Sequence, residues 1–282
     1  MTTPEGLILV DKPAGSTSHD VVDEVRRRLG TRKVGHAGTL DPMATGLLLV
    51  GVGRATRLLR YLGDLDKTYE GTGRLGIETE TLDADGDVVG TAPVDVSRMD
   101  VERAAAALVG PSAQAPPAYS AVKVGGRKLY EAARAGETLE AETRSIVVRA
   151  LEVTSFDSPS FEFRTAVSSG TYVRVLVADL GRSLGCGAHL ARLVRTAVGP
   201  FTLKDAVPPD RVQRPLPVER AVAHLPTIRL GAEEARVATN GSILGPAGVD
   251  GPYAVFDPGG RLIGVYRDEV GKAKPEMILP PA

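Results

Sequence analysis

The stretch Gly35-His36-Ala37-Gly38-Thr39-Leu40-Asp41-Pro42-Met43-Ala44-Thr45-Gly46 constrains the fold of this chain more than any other. It gathers three glycines, one imidazole and one carboxylate among few large side chains, and it runs straight into the apolar residues 47–52. The apolar run reads as a buried strand around which a core must form, and the glycines before it read as a loop. Asp41 precedes Pro42, so its backbone is pushed towards the extended region and away from helix. A carboxylate on a constrained loop beside a core strand is where an enzyme places a nucleophile or a base. The same residues also read as an Asp-Pro turn whose side chain bonds nearby backbone N–H groups.

At 282 residues the chain suits one large domain, or one domain with a small module, and its 43% hydrophobic content supports a sizeable core. No apolar stretch approaches the ~20 residues of a membrane span. Residues 1–6 show no basic region followed by a long apolar run, so a secretory signal is not expected. Cys186 is the only cysteine, so no internal disulfide can form, which fits a reducing cytoplasm. The four histidines, His19, His36, His189 and His224, have no zinc-site spacing. Net charge is −1, but its distribution is uneven. Arg26, Arg27, Arg28, Arg32, Lys33, Arg54, Arg57 and Arg60 fall in a window whose only acid is Asp41, and acids dominate residues 64–102. A locally basic face of this kind can bind a phosphate backbone, and it also reads as ordinary solvated helix surface.

Residues 6–15 read as a short strand ending in a turn. Ser16, Thr17 and Ser18 offer N-cap hydroxyls to a helix over 19–29, with Val21, Val22, Val25 and Leu29 inward and Gly30 closing it. Residues 54–62 read as a helix with Ala55, Leu58, Leu59 and Leu62 inward and Arg54, Arg57 and Tyr61 on the other side. Lys67 opens a strand, 79–87 is a turn between strands, and 99–109 is a helix. The Asp83-Ala84-Asp85-Gly86 spacing suggests a calcium loop but lacks its later ligands. Residues 146–156 and 160–168 alternate like two antiparallel strands, and 175–184 reads as a helix. His189 reads as a packed, hydrogen-bonded histidine and Cys186 as a small buried residue. Prolines at 208–209 and 215–217 mark a composition break, with a short connecting helix over 219–225. Beyond it Gly and Pro recur, and 253–266 reads as a strand–turn–strand hairpin.

Residues 35–46 resemble the signature of the TruB family of tRNA pseudouridine synthases, which isomerise the uridine at position 55 in the T loop of tRNA. Further segments are similar to the same family: Asp11-Lys12-Pro13-Ala14-Gly15, Lys67-Thr68-Tyr69, residues 79–87, Pro116-Pro117-Ala118-Tyr119-Ser120-Ala121-Val122-Lys123, Gly170-Thr171-Tyr172-Val173-Arg174 and residues 186–199. The resemblance covers roughly residues 6–200. It implies an α/β (α+β) catalytic domain over 1–220, with a mixed, mainly antiparallel central sheet flanked by helices. Within it, 120–147 is an insertion that closes over the RNA and is mobile without it. Residues 226–282 are similar to the small β-rich, PUA-like RNA-binding domains appended to this family.

The resemblance also assigns roles. Asp41, Tyr69 and Arg174 are catalytic: a carboxylate attacks, an arginine within salt-bridge reach keeps it charged, and a tyrosine stacks on the base and helps move the C5 proton. Tyr69 reads equally well as a strand-packing residue and Lys12 as a surface turn residue. Lys12 and Pro13 shape the floor of the site. Thr39, Asp83 and Tyr172 belong to the matching motifs on the substrate side. Lys123, Arg127 and Lys128 interleave with Tyr119 and Tyr130, a mixture suited to RNA contacts but also to a solvated loop. His36 either fills the place of a flipped base or orders its loop. The isomerisation involves no redox change, hydride or phosphate transfer, so no cofactor and no metal are expected. The partner is the tRNA T stem-loop, the protein a cytoplasmic monomer with no membrane contact. Rivals are a tRNA-binding folding factor whose chemistry is secondary, a guide-RNA-dependent synthase and, more distantly, an aspartate-based phosphatase or hydrolase.

Overall fold

The structure is a computed structural model that describes residues 4–280. Residues 1–3, part of the segment read for a secretory signal, and 281–282, the end of the expected tail domain, lie outside the described residues. Strand β1 (Gly6–Lys12), helix α1 (Ser18–Leu29), β2 (Val34–Ala37) and β3 (Thr45–Val52) open the chain, followed by a 3₁₀ turn and α2 (Leu59–Gly63). Then come β4 (Lys67–Leu75), β5 (Ile77–Thr79), β6 (Val88–Thr91), α3 (Arg98–Ala107) and β7 (Gly110–Gln114). The expected insertion holds β8 (Lys123–Val124), β9 (Arg127–Lys128) and α4 (Leu129–Arg134). Strands β10 (Arg144–Asp157) and β11 (Ser160–Val167), helix α5 (Val173–Ser183), β12 (Ala188–Val198) and β13 (Phe201–Thr202) complete the larger part. The tail is β14 (Thr227–Arg229), α6 (Ala232–Ala238), β15 (Pro252–Phe256), β16 (Leu262–Glu269) and β17 (Lys272–Ile278).

The central sheet runs β1-β3-β12-β4-β11-β10-β7, with β2 added on β3 and β13 on β12. All its pairs are antiparallel except β3–β12. The continuous apolar run of β3 has a direct cause: both its faces are covered. Leu47 and Leu49 enter one apolar cluster, and Leu48, Val50 and Val52 enter another beneath α1. Each fully buried leucine contributes about 2 kcal/mol. Strand β4 alternates instead, burying Lys67, Tyr69 and Leu75 on one face and leaving Thr68, Glu70, Thr72 and Arg74 more exposed. Its inner face packs on α3 and α5.

Helix α1 forms where the sequence asks for it. Thr17 and Asp20 close a capping box, Val21, Val22 and Val25 are buried, and Gly30 ends the helix in the left-handed region. Two expectations are corrected. Residues 34–37 are a strand rather than part of the loop, because backbone pairing to β3 residues 49–52 needs no apolar pattern of its own. Tyr61 does not share a solvent face with Arg54 and Arg57. It is buried, and its hydroxyl donates to Glu276 of the tail at 3.0 Å. The tail is a four-stranded sheet, β14-β15-β16-β17, with α6 packed on one side. Its Ala254, Leu262, Val265 and Leu279 join the same apolar cluster as Leu7, Leu9, Leu47 and Leu49.

Candidate active site

The loop of residues 38–44 leaves β2 and enters β3 where β3 changes neighbours. Strand β2 flanks residues 49–52, and β12 flanks Thr45 and Gly46. Between them the ladder is broken, and the side chain of Arg195 on β12 fills the break. Arg195 is 1% exposed. Its Nε donates to Leu47 O at 2.7 Å, its Nη2 to Gly38 O at 2.9 Å and its Nη1 to Thr39 O at 3.5 Å. A Cβ at Gly46 would lie 2.4 Å from Arg195 O, so only glycine lets the two strands meet here.

The rest of the loop is held as firmly. Leu40 N–H donates to Ser18 Oγ at 2.9 Å, and that hydroxyl donates to Leu40 O at 3.2 Å. Pro42 O accepts from Gly15 N–H at 2.9 Å and from Lys12 Nζ at 3.2 Å. Lys12 is fully buried and also donates to Ser16 O at 2.7 Å and Pro13 O at 3.0 Å. Burial lowers its pKa to about 8. Lys12 therefore acts on the loop from beneath and presents nothing to solvent.

Four anchors hold the loop and leave the Asp41 carboxylate free. Among the described residues no backbone N–H donates to the Asp41 carboxylate, so it is not spent on the Asp-Pro turn. Asp41 Oδ2 lies 3.4 Å from Nε of Arg174, and their side chains are 36% and 4% exposed. Burial raises the Asp41 pKa; Arg174 and Lys12 pull it back, and Asp83 and Asp85 push it up.

Arg174 comes from the first turn of α5, and Gln114 fixes that turn by bonding both the N–H and the C=O of Tyr172, at 2.7 and 3.2 Å. The guanidinium donates to Thr81 O at 3.0 Å, Asp83 Oδ2 at 3.4 Å and Tyr119 O at 2.6 Å. Asp83 is buried, and its other oxygen accepts from Thr81 Oγ1 at 2.5 Å and Asp85 N–H at 3.2 Å. The Arg174 carbon Cζ lies 5.8 Å from the centre of the half-buried Tyr172 ring.

Tyr69 is 6% exposed and packs in one cluster with Leu40 and Ala44, the flanks of the loop. The fold thus gathers Asp41, Arg174, Tyr69, Lys12 and Asp83, which the sequence spreads over more than half its length. Pro13 and Thr39 are exposed at the rim. His36 stands on β2, half-buried; burial first, and then Arg195, lowers its pKa, and its Nδ1 is buried without a partner among the described residues. Lys123, Arg127 and Lys128 sit apart on the hairpin of the insertion, where Arg127 pairs with Glu137 at 2.7 Å and Lys128 bonds Tyr130 Oη at 3.0 Å. His189 is buried with Nδ1 3.0 Å from Ile77 O, and Cys186 is buried, both as read. The sequence carried no sign of the roles of Arg195 and Gln114, and it offered Ser18 only as an N-cap hydroxyl, not as the partner of Leu40. Two register shifts in β12 break the alternation that would have marked Arg195 as inward-facing.

Six of the seven arginines of the basic window have partners, while Arg32 and Lys33 are exposed. Arg26 pairs with Asp23, and Arg27 and Arg28 pair with Glu24. Arg54 pairs with Glu5, Arg57 donates to Ile278 O at 3.0 Å, and Arg60 donates to Glu276 at 3.0 Å.

Comparison with known proteins bears directly on this geometry. Residues 26–173 match the description "TruB family pseudouridylate synthase (N terminal domain)". The chain belongs to the TruB family. Residues 174–222 match the family's "tRNA pseudouridylate synthase B C-terminal domain", and residues 225–280 match "tRNA Pseudouridine synthase II, C terminal". Among relatives, tRNA pseudouridine synthase B of Thermobifida fusca (strain YX) is 47% identical over 288 residues, covering 98% of each chain. That of Geobacillus kaustophilus (strain HTA426) is 43% identical, covering 91% of this chain and 98% of its own. Among solved structures, a Cbf5-Nop10-Gar1 complex aligns with a TM-score of 0.76 at 26% identity over 98% of this chain and 85% of that chain. An archaeal box H/ACA sRNP Nop10-Cbf5 complex aligns at 0.73 and 25%, over 99% and 87%. These likenesses agree with a mixed, mainly antiparallel catalytic sheet in this family.

Proposed function

We propose that this chain isomerises uridine to pseudouridine at position 55 in the T loop of tRNA, with Asp41 as the nucleophile. One observation carries the reading. A loop pinned at four points leaves a single carboxylate free of backbone donors and 3.4 Å from a buried guanidinium. Relatives named tRNA pseudouridine synthase B, similar over the whole chain, support the substrate.

The chemistry follows from the groups present. Ionised Asp41 bonds to the uridine, at the sugar C1′ or the base C6. The C1′–N1 bond breaks, the base turns, C1′–C5 forms, the bond to Asp41 breaks to return the free carboxylate, the C5 proton leaves and N1 gains one, so the net change is an isomerisation. Arg174 favours the charged carboxylate against the burial that opposes it. Tyr69, beside the loop, stacks on the base, and its hydroxyl serves the C5 proton. The base must leave the folded tRNA elbow first, and His36, kept neutral by burial, takes its place in the stack. We place the active protein as a cytoplasmic monomer, with residues 1–220 catalytic, 226–282 binding RNA and 120–147 closing over the loop.

The test is tritium release from transcribed tRNA carrying [5-³H]uridine, for wild type beside Asp41→Asn. The expected result is release of about one T-loop uridine per tRNA by the wild type and a fall of at least ~10³-fold in Asp41→Asn, the scale for removing a nucleophile. Equal release by both moves the chemistry away from Asp41. No release on bare tRNA that is nevertheless bound favours a folding factor or a guide-dependent enzyme.

A further inference from the structure

Arg174 is gripped by two carbonyls from different elements. Thr81 O belongs to the turn between β5 and β6, and Tyr119 O belongs to the stem that leads into the insertion. Nothing in the backbone hydrogen bonding joins that turn to that stem. Their side chains do: the Tyr119 hydroxyl donates to the Glu80 carboxylate, one residue before Thr81. The contact fixes the spacing of the two carbonyls and hence the seat of the guanidinium. The stem is otherwise stiff, with Pro116 and Pro117 buried just before Tyr119. Beyond it, Ser120 O accepts Tyr130 N–H at 3.1 Å, so the stem is continuous with the hairpin and α4. The seat matters because Arg174 Nε, the atom nearest Asp41, has no hydrogen-bond partner among the described residues. Small shifts of the guanidinium therefore act directly on the charge beside the nucleophile.

We infer that Glu80 and Tyr119 are positioning residues that set the Arg174–Asp41 pair, with the insertion attached to the nucleophile through Tyr119. Tyr119 thus serves through its hydroxyl and carbonyl, whereas the sequence read it as an RNA-contacting aromatic or a packing tyrosine of a solvated loop. The inference rests on the pseudouridine-forming reading.

The experiment is tritium release as a function of pH by wild type, Glu80→Ala, Glu80→Gln, Tyr119→Phe and the double variant Glu80→Ala/Tyr119→Phe. Both side chains are at the surface, and circular dichroism checks each fold. Four charged groups face Asp41: Arg174 from α5, Asp83 and Asp85 from the β5–β6 turn, and Lys12 from the end of β1. None is altered. Glu80→Ala and Tyr119→Phe are expected to lower kcat about tenfold, the scale of a sub-ångström misplacement, with KM for tRNA within about twofold. The acid limb of kcat moves to higher pH in both as Arg174 drifts from Asp41. Glu80→Gln, whose amide oxygen still accepts from the hydroxyl, keeps wild-type values, and the double variant is no slower than the worse single one.

An unmoved acid limb, additive losses or a rise in KM alone would overturn the inference, the last returning Tyr119 to direct RNA contact. An active wild type with indifferent variants sinks this inference alone. An inactive wild type sinks the pseudouridine reading and the inference together.

Discussion

Asp41 is held where a carboxylate is uncomfortable, and the discomfort is measurable. Its pKa is raised in the folded protein, above the ordinary 3.8, because burial outweighs Arg174 and Lys12. A raised carboxyl favours the fold at pH below its unfolded value, and that benefit is lost as pH rises through the folded value. At neutral pH the ionised group therefore opposes folding. Asp41→Asn is expected to abolish activity while raising Tm by about 1–3 °C, on the ~2–4 °C per kcal/mol of a chain this size and allowing for its partial exposure. Differential scanning calorimetry at pH 7 checks it, and a lowered Tm would refute it. The same shift sets the acid limb of kcat above 3.8. Lys12, lowered to about 8, sets an alkaline limb: above that pH the loop loses the charge that grips Pro42 O and offsets Asp41. The pH–kcat profile is expected to be a bell whose upper limb falls near 8. Lys12→Met should lack that limb at a lower plateau, and a limb that persists would refute this and assign it to buried Lys67, also lowered to about 8.

At the scale of elements, the site exists because β3 is shared. Two strands cannot flank the same edge of β3 continuously, so one handover point must leave backbone carbonyls without ladder partners. Arg195 meets that need with donors to Leu47, Gly38 and Thr39. Methionine at this position fills much of the same space but supplies no donor. Arg195→Met is expected to destabilise the protein by about 2–3 kcal/mol, at ~1 kcal/mol or more per orphaned carbonyl, and to cut kcat more than KM as the loop slackens. Urea unfolding and steady-state kinetics on the one preparation would show both. A variant as stable and fast as the wild type would mean the loop holds itself. This part of the site was hard to read in the sequence. The helix α1, the strand β3 and the β15–β16 hairpin announce themselves by period and caps. The inward turn of Arg195 depends on bulges that no pattern shows.

At the scale of the molecule, the basic window does different work from what its charge suggests. Arg54, Arg57 and Arg60 face the tail and bond Pro280 O, Ile278 O and Glu276. Glu276 is the hub, accepting also from Tyr61 at 3.0 Å and from Arg267. Burial raises its pKa, but Arg267, Tyr61 and Arg60 outweigh that and hold it below 4.5. A lowered carboxyl gives stability that is present above the unfolded value and lost as pH falls through the folded one. Glu276→Gln should therefore lower Tm by about 2–4 °C at pH 7, on the order of 1 kcal/mol for a partly exposed hub, and by less at pH 4. Equal Tm losses at both pH values would mean the carboxylate's charge plays no part in docking the tail.

The sequence by itself determined the family motifs, the buried strand beside Asp41, the ends of α1 and the β-rich tail. These follow from local physics: period, caps, glycine and proline placement, and the chemistry of a lone carboxylate. Only the tertiary structure decided where long side chains point. It turned Arg195 and Lys12 beneath the loop, spent Arg54, Arg57 and Arg60 on the tail, and brought Glu80 against Tyr119. The reason is that a charged residue is recorded in the sequence only as polar. Whether it meets solvent, RNA or a carbonyl left over from a broken ladder depends on which strands lie side by side.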